Sequence, residues 1–312
     1  MELGRALARA SYLADDRLTL SSWLALTLER PLLVEGPAGV GKTDLARALA
    51  EALSRELLRL QCYEGLDEAR ALYEWDYAKQ ILFTQLLRET AAAQTAGALS
   101  LAEAADRLAA AGADEAFFSE RFLVARPLLR ALTSEKPVVM LIDEIDRADA
   151  EFEAFLLEVL AERQVTIPEI GTVRARSNPL FLLTSNGSRD LTDALRRRCL
   201  HAFLDYPTPS REVEIIELRV PGISRRLAEQ LAAFAEKVRA MALRKSPSVA
   251  EIVDWARALL LLGANALDRE LVESTLGAIL KYEEDMNRVE EKLETLVDSP
   301  RAPHPDAFDD SP

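Results

Sequence analysis

Two short stretches hold side chains whose types and spacing could do chemistry: "GPAGVGKT" at 36–43 and "PVVMLIDEIDRAD" at 137–149. In the first, Gly36, Gly39 and Gly41 let backbone amides turn inward around an anion, where side chains would block the approach. Lys42 supplies a point charge suited to β/γ-phosphates, and Thr43 a hydroxyl suited to Mg²⁺. The expected nucleotide contacts are therefore Gly36, Pro37, Ala38, Gly39, Val40, Gly41, Lys42, Thr43 and Asp44, with ATP and Mg²⁺ as the bound species. A mere glycine turn is the bland alternative. Against it stands the setting, with apolar "PLLVE" ahead of the loop and helix-forming "DLARALAEAL" behind it.

The second stretch supplies the acids. Its apolar run places Asp143 at the C-terminal tip of a buried strand, where ligands collect in open α/β sheets. Asp143 joins Thr43 as a metal-holding residue, and Glu144 is placed to polarise an attacking water. An acidic helix start would look similar, because Asp and Glu favour helix N-termini. A kinase would need a hydroxyl-substrate site, whereas a Glu beside the metal aspartate suits hydrolysis.

These residues need a sheet to hold them. Five short apolar runs bounded by breakers read as buried parallel strands: 31–35, 57–62, 137–142, 179–184 and 200–205. Helical periodicity lies between them. Ala46, Leu49, Ala50 and Leu53 share one face; Phe152, Phe155, Leu156, Val159 and Leu160 share another, with Asp149 as cap. The alternation predicts an α/β fold with a five-stranded parallel sheet. The stretch 63–136 is too long for one crossover and reads as a mostly helical insertion, including a Ser100/Glu103 capping box. Residues 164–178 read as a hairpin around Pro168 and Gly171. Past Pro207 only helical patterns remain, with a Ser248/Glu251 capping box and Gly263 as a stop. The expected domains are 1–207, a helical lid at 208–297, and a Pro- and Asp-rich disordered tail at 298–312.

Composition narrows the class. The 312-residue chain carries 52 acidic against 38 Lys and Arg residues, a formal net charge of −14. Affinity for nucleic acid comes largely from neutralised phosphates, so this balance argues against a general DNA or RNA binder. Cys62 and Cys199 alone do not make a disulfide framework, and His201 and His304 do not make a His-ligated metal centre. Without a recognisable secretory signal or an apolar run of about 18 residues, a cytoplasmic setting with no membrane contact is expected.

The Asp-Glu pair after four hydrophobics, "LFLLTSN" at 180–186 and "DALRRRC" at 193–199 together resemble the AAA+ ATPases. The resemblance implies that Asn186 is sensor 1, orienting the lytic water and γ-phosphate, though Asn-Gly also forms turns. It implies that Arg198 is an arginine finger reaching a neighbouring subunit's nucleotide, with Arg196 and Arg197 as close alternatives and a solvated basic patch as the plain one. Within that class, "DEIDRA" at 143–148, the insertion and the hairpin resemble the MoxR group. The wording of "QCYEGLDEARALYEWDYAKQIL" and "KSPSVAEIVDWARALL" is similar to the CoxD-type branch, over roughly residues 10–265. This implies an AAA+ domain followed by an all-helical lid, and a ring-shaped homo-oligomer, read as a hexamer. It further implies a partner with a von Willebrand factor A domain and a client metalloenzyme, for this branch a molybdenum hydroxylase such as carbon monoxide dehydrogenase. One departure stands out: Ser246-Pro247 precedes Ser248 where the group often has arginine. A sensor-2 role thus passes to Arg244 or Lys245, or is absent.

Other residues carry two readings each. "YEWDY" at 73–77 either grips a client or packs the insertion. Arg147 either reaches a neighbouring nucleotide or lies on the surface. Tyr12 and Leu13 either meet adenine or fill the core. Trp255 and Cys62 read as core. An AAA+ motor on nucleic acid, a small-molecule kinase and a nucleotide-gated switch are the competing functions.

Overall fold

The computed structural model describes residues 2–86, 100, 103, 122–168 and 170–297. The expected tail at 298–312, and most of 87–121, lie outside the described residues. By contact, the chain divides into two compact units, one of Met1–Gly36 and Lys42–Phe203, the other of Pro37–Gly41 and Leu204–Pro312.

The first unit is built on a five-stranded parallel sheet of β1 (Leu32–Glu35), β2 (Leu57–Gln61), β5 (Val139–Asp143), β8 (Leu180–Ser185) and β9 (Leu200–Phe203). Their order is β2-β5-β8-β1-β9. Every residue of β5 and β8 is buried, as expected for central strands covered on both faces. Edge strand β2 alternates instead, burying Leu58 and Leu60 and turning Arg59 and Gln61 outward. The strands begin after Pro31, Pro137 and Pro179 rather than on them, because proline has no N–H for the ladder. Register places Gln61 beside Asp143 and Glu35 beside Ser185, so these polar residues collect at one end of the sheet.

Helices α1 (Glu2–Arg9) and α2 (Asp16–Thr27) precede the sheet, and Asp15 caps the second by accepting from the Leu18 N–H at 2.6 Å. Helix α3 (Lys42–Ala52) follows the glycine loop and buries Leu45, Ala46 and Leu49 completely. Tyr12 is buried and Leu13 half-buried.

The insertion, expected to be mostly helical, also contains a short strand pair. Asp67 caps the short α4 (Glu68–Leu72), and the chain then becomes strand β3 (Tyr73–Trp75), antiparallel to β4 (Leu123–Ala125). Alternating Tyr73 and Trp75 favour the pleat, and Asp76 restarts α5 (Tyr77–Leu86) by accepting from the Lys79 N–H at 2.9 Å. Tyr73 and Trp75 meet edge to face at 5.7 Å, while Tyr77 is exposed. Of the expected Ser100/Glu103 box, the bond from the Glu103 N–H to Ser100 Oγ is present at 3.1 Å. Helix α6 (Pro127–Thr133) returns the chain to the sheet. After β5, α7 (Ala150–Glu162) is capped by Asp149, which accepts from the Phe152 N–H at 2.8 Å. Strands β6 (Gln164–Ile167) and β7 (Gly171–Arg174) form the expected hairpin, and α8 (Asp193–Arg198) leads into β9.

From Leu204 onward the second unit is helical. Helices α9 (Pro209–Arg219), α10 (Arg225–Arg239) and α11 (Val249–Leu261) bury Ile216, Leu231, Phe234 and Trp255 in one core. Trp255 is fully buried and its indole N–H donates to Thr275 Oγ1 at 2.8 Å. Both halves of the Ser248/Glu251 capping box are formed. The helical pattern from Asp268 to Val297 is broken into α12 (Arg269–Thr275), α13 (Glu283–Glu290) and α14 (Leu293–Leu296), with a single 3₁₀ turn after α12. A buried ion pair joins Arg239 to Glu212 at 2.7 Å, with the Arg239 guanidinium also stacked 4.5 Å from the centre of the Tyr206 ring.

Candidate nucleotide site

Gly39 has φ of +74°, a left-handed conformation that a side chain would strain. Lys42 opens α3, and its ammonium donates to the Gly36 carbonyl at 2.6 Å. Burial pushes its pKa down, opposed by the carboxylates of Asp146, Asp143 and Glu144, which favour the charged form. Asp44 faces solvent and pairs with Arg47 on the same helix.

Within the first unit, the structure brings Thr43, Asp143, Glu144 and Asn186 together. Thr43 Oγ1 lies 3.1 and 3.2 Å from the two oxygens of Asp143. Thr184, which the sequence reading passed over, bridges the two acids. Its hydroxyl donates to Asp143 Oδ1 and accepts from the Glu144 N–H at 2.9 Å. Glu144 holds a left-handed backbone, with φ 56° and ψ 52°, as the chain turns from β5 into a 3₁₀ turn. Such a conformation is rare for a residue with a side chain and collects at functional sites. Asn186 Nδ2 donates to Glu144 Oε1 at 3.3 Å, and Gln61 Nε2 donates to Glu144 Oε2 at 3.0 Å. Arg59, also from β2, reaches Asp143 Oδ2 at 2.6 Å.

Two further carboxylates on the same segment hold the chain around Asn186. Buried Asp146 accepts from the Asn186 N–H at 3.2 Å, and from the Ser188 N–H and hydroxyl at 2.9 and 2.7 Å. Burial alone would raise its pKa, but these bonds hold it below the ordinary aspartate value. Glu153 in α7, fully buried, accepts from the Thr192 N–H and hydroxyl and pairs with Arg189. Asp146 lay within the "DEIDRA" stretch and Glu153 on a helical face, but the partners of neither could be read from the sequence.

Of the three arginines ending α8, Arg196 stands apart from the other two. Arg196 makes a two-pronged pair with Glu35 at 2.8 Å per bond, and His201 joins the same carboxylate. Arg197 and Arg198 point into solvent; their carbonyls accept from Arg30. Arg147 is likewise exposed. In the second unit, Arg244 stacks 4.0 Å from the centre of the Tyr282 ring, and Lys245 pairs with Glu251 at 3.0 Å. The candidates for a sensor-2 role are thus both engaged locally. Cys62 is buried, and burial beside Asp143 pushes its thiol up to about 12.

Lys42 and Thr43 at the start of α3, a buried aspartate and a glutamate at the tip of β5, and an asparagine after the neighbouring β8 are groups that nucleotide hydrolysis can use. Residues 24–171 match the sequence family described as AAA ATPase domain. Protein NorQ of Paracoccus denitrificans (strain Pd 1222) is 28% identical over 211 residues, which is 68% of this chain and 65% of that relative. The chain therefore spans just under two thirds of that curated relative's length. Among solved structures, the Thermotoga maritima RuvB Holliday junction branch migration motor is similar at 16% identity and a TM-score of 0.47, over 90% of this chain and 75% of that one. A variant of the same RuvB gives 18% identity and a TM-score of 0.48, covering 84% and 67%. The AAA ATPase domain match ends at 171, before Asn186 and the α8 arginines. No helix among the described residues is long and apolar enough to cross a membrane.

Proposed function

We propose that this chain is an ATP-hydrolysing chaperone of the MoxR type, working as a cytoplasmic ring-shaped homo-oligomer. The observation that carries the hydrolytic half is the meeting of Thr43, Asp143, Glu144 and Asn186 at the tips of neighbouring strands. In this reading Lys42 holds the β/γ-phosphates, Glu144 takes a proton from the attacking water, and Asn186 fixes the orientation of Glu144. The donor set is a hydroxyl and a buried carboxylate, hard oxygen ligands that fit a Mg²⁺ ion sharing its shell with water and phosphate. Thr43 and Asp143 would hold that ion, which when bound neutralises charge on the phosphates.

The oligomeric half rests on the α8 arginines. Arg196 is held by Glu35 of its own chain, whereas Arg198 and its neighbour Arg197 face outward. An outward arginine suits completion of a neighbouring subunit's site, with Arg198 as the finger. Similarity to NorQ supports the MoxR assignment. The finer reading follows the CoxD-like wording of the sequence: a von Willebrand factor A domain partner, and a molybdenum hydroxylase client such as carbon monoxide dehydrogenase. Domain limits of 1–207 and 208–297 go with it.

The deciding experiment measures ATP turnover against protein concentration for the natural sequence, Glu144→Gln and Arg198→Ala. Specific activity should rise as subunits assemble. Glu144→Gln should retain bound ATP without turnover, and Arg198→Ala should bind ATP while losing at least about tenfold in rate. Concentration-independent turnover that survives Arg198→Ala would overturn the ring reading, and DNA-stimulated turnover would favour a nucleic-acid motor.

A further inference from the structure

The metal-site carboxylate is already engaged by a cation from its own chain. Asp143 is 4% exposed, and donors surround both its oxygens: Thr184 at Oδ1, Arg59 at Oδ2, and the Thr43 hydroxyl within reach of each. Arg59 is the one charged donor among them. Its side chain is 52% exposed, so it approaches Asp143 from solvent rather than through packed core. The same Nη2 donates to Gln61 Oε1 at 2.6 Å, and Gln61 in turn holds Glu144. Residues i and i+2 of an edge strand share a face, which is why both reach the tip of β5.

We propose that Arg59 is a displaceable latch on Asp143, standing in for the charge of the divalent cation and competing with it. This rests on the assignment of Asp143 to Mg²⁺ made above. A carboxylate with about one positive neighbour has no electrostatic need of a second, and a guanidinium at 2.6 Å repels an incoming dication. Latched and metal-ready forms are therefore two states, and the latched population lowers the apparent metal affinity in proportion. Because the Arg59 side chain is 52% exposed, its guanidinium regains water as it swings away, which offsets part of the lost contact with Asp143. Gln61 adds a consequence: moving Arg59 frees the amide oxygen of the side chain that contacts Glu144, so release of one acid reaches the other.

The test is calorimetric titration of AMP-PNP into the full chain, once in EDTA and once in excess MgCl₂. The ratio of the two affinities reports the coupling between metal and nucleotide, without turnover. Arg59→Gln should raise that ratio by about two- to tenfold and leave the EDTA affinity unchanged. Arg59→Lys, which keeps a cation on a different head group, should fall between the two. An unchanged or smaller ratio in a folded Arg59→Gln protein overturns the latch; a smaller one assigns Arg59 to the phosphates instead. Asp143→Asn separates the two ideas. If the natural chain shows coupling that Asp143→Asn abolishes, the metal assignment stands whatever Arg59 does. If Mg²⁺ has no effect on the natural chain, the assignment and the latch fall together.

Discussion

Thr184→Val is the sharpest probe of how the acid pair is held. Valine matches threonine in shape, so the 1%-exposed site stays filled and only the hydroxyl is lost. That hydroxyl donates to Asp143 and accepts from the Glu144 N–H at 2.9 Å. A hydrogen bond to a charged group contributes about 1.5–3 kcal/mol, and a buried N–H left without a partner costs about 1–3 kcal/mol. The two losses share one atom and are not independent, so a combined destabilisation of about 2–4 kcal/mol is expected. Units of roughly 150–250 residues lose about 2–4 °C per kcal/mol, giving a fall of roughly 4–16 °C in melting temperature. Thermal and urea unfolding of the natural chain, Thr184→Val and Thr184→Ser would measure it. Serine keeps the oxygen and should recover most of the loss. ATP turnover should fall further than stability explains, because Glu144 would lose the tether on its backbone. A Thr184→Val protein within about 1 °C of the natural chain and turning over normally would refute the bridging role.

Asp146→Ala should release the segment from Asn186 to Ser188 and lower kcat more than it changes KM, as steady-state ATPase kinetics would show. Glu35 offers a pH test. Burial pushes its carboxyl up, but bonds from Arg196 and His201 outweigh this and hold it below the ordinary glutamate value. A depressed folded value stabilises above the unfolded pKa, about 4.3, and that contribution disappears as pH falls through the folded value. Glu35→Gln should therefore be less stable near neutrality, with the gap closing below about pH 4 in melting curves taken across pH. Removing Glu212 should strand Arg239, which is 9% exposed, and cost about 3–5 kcal/mol in urea unfolding; replacing both partners by apolar residues should cost less.

The sheet and its tips were legible because burial leaves a plain trace. Strands β1, β5 and β8 are continuous apolar runs, and proline or glycine marks their ends. Asp143 and Asn186 were legible because each follows such a run. The insertion was harder. Residues 67–86 have helical composition throughout, and the three-residue strand at Tyr73–Trp75 is fixed by pairing with residues 123–125, about fifty positions away. No local window contains that partner. Thr184 hid for a different reason: inside "LFLLTSN" it looks like one more strand residue, and only the neighbouring strand gives its hydroxyl work. Arg59 and Gln61 show outward alternation in the sequence, but not what they face. Among the three arginines of α8 the sequence favoured Arg198 only by its match to the family; the Glu35 carboxylate, from the far side of the sequence, sets Arg196 apart from the other two.

Glu144 was described above as a side-chain-bearing residue in left-handed backbone, and this governs how the site can be engineered. Glutamine carries the same Cβ and the same tether to Thr184, so the Gln variant inherits the conformational penalty unchanged. A comparison of the two isolates the proton-accepting oxygen. Alanine would keep the backbone strain while discarding both side-chain anchors, and glycine would relax the turn altogether. Valine or isoleucine, with branching at Cβ, would meet the steepest penalty there. Position 144 thus admits unbranched replacements more readily than branched ones, and a substitution library at this codon should be depleted of branched residues even where turnover is not selected.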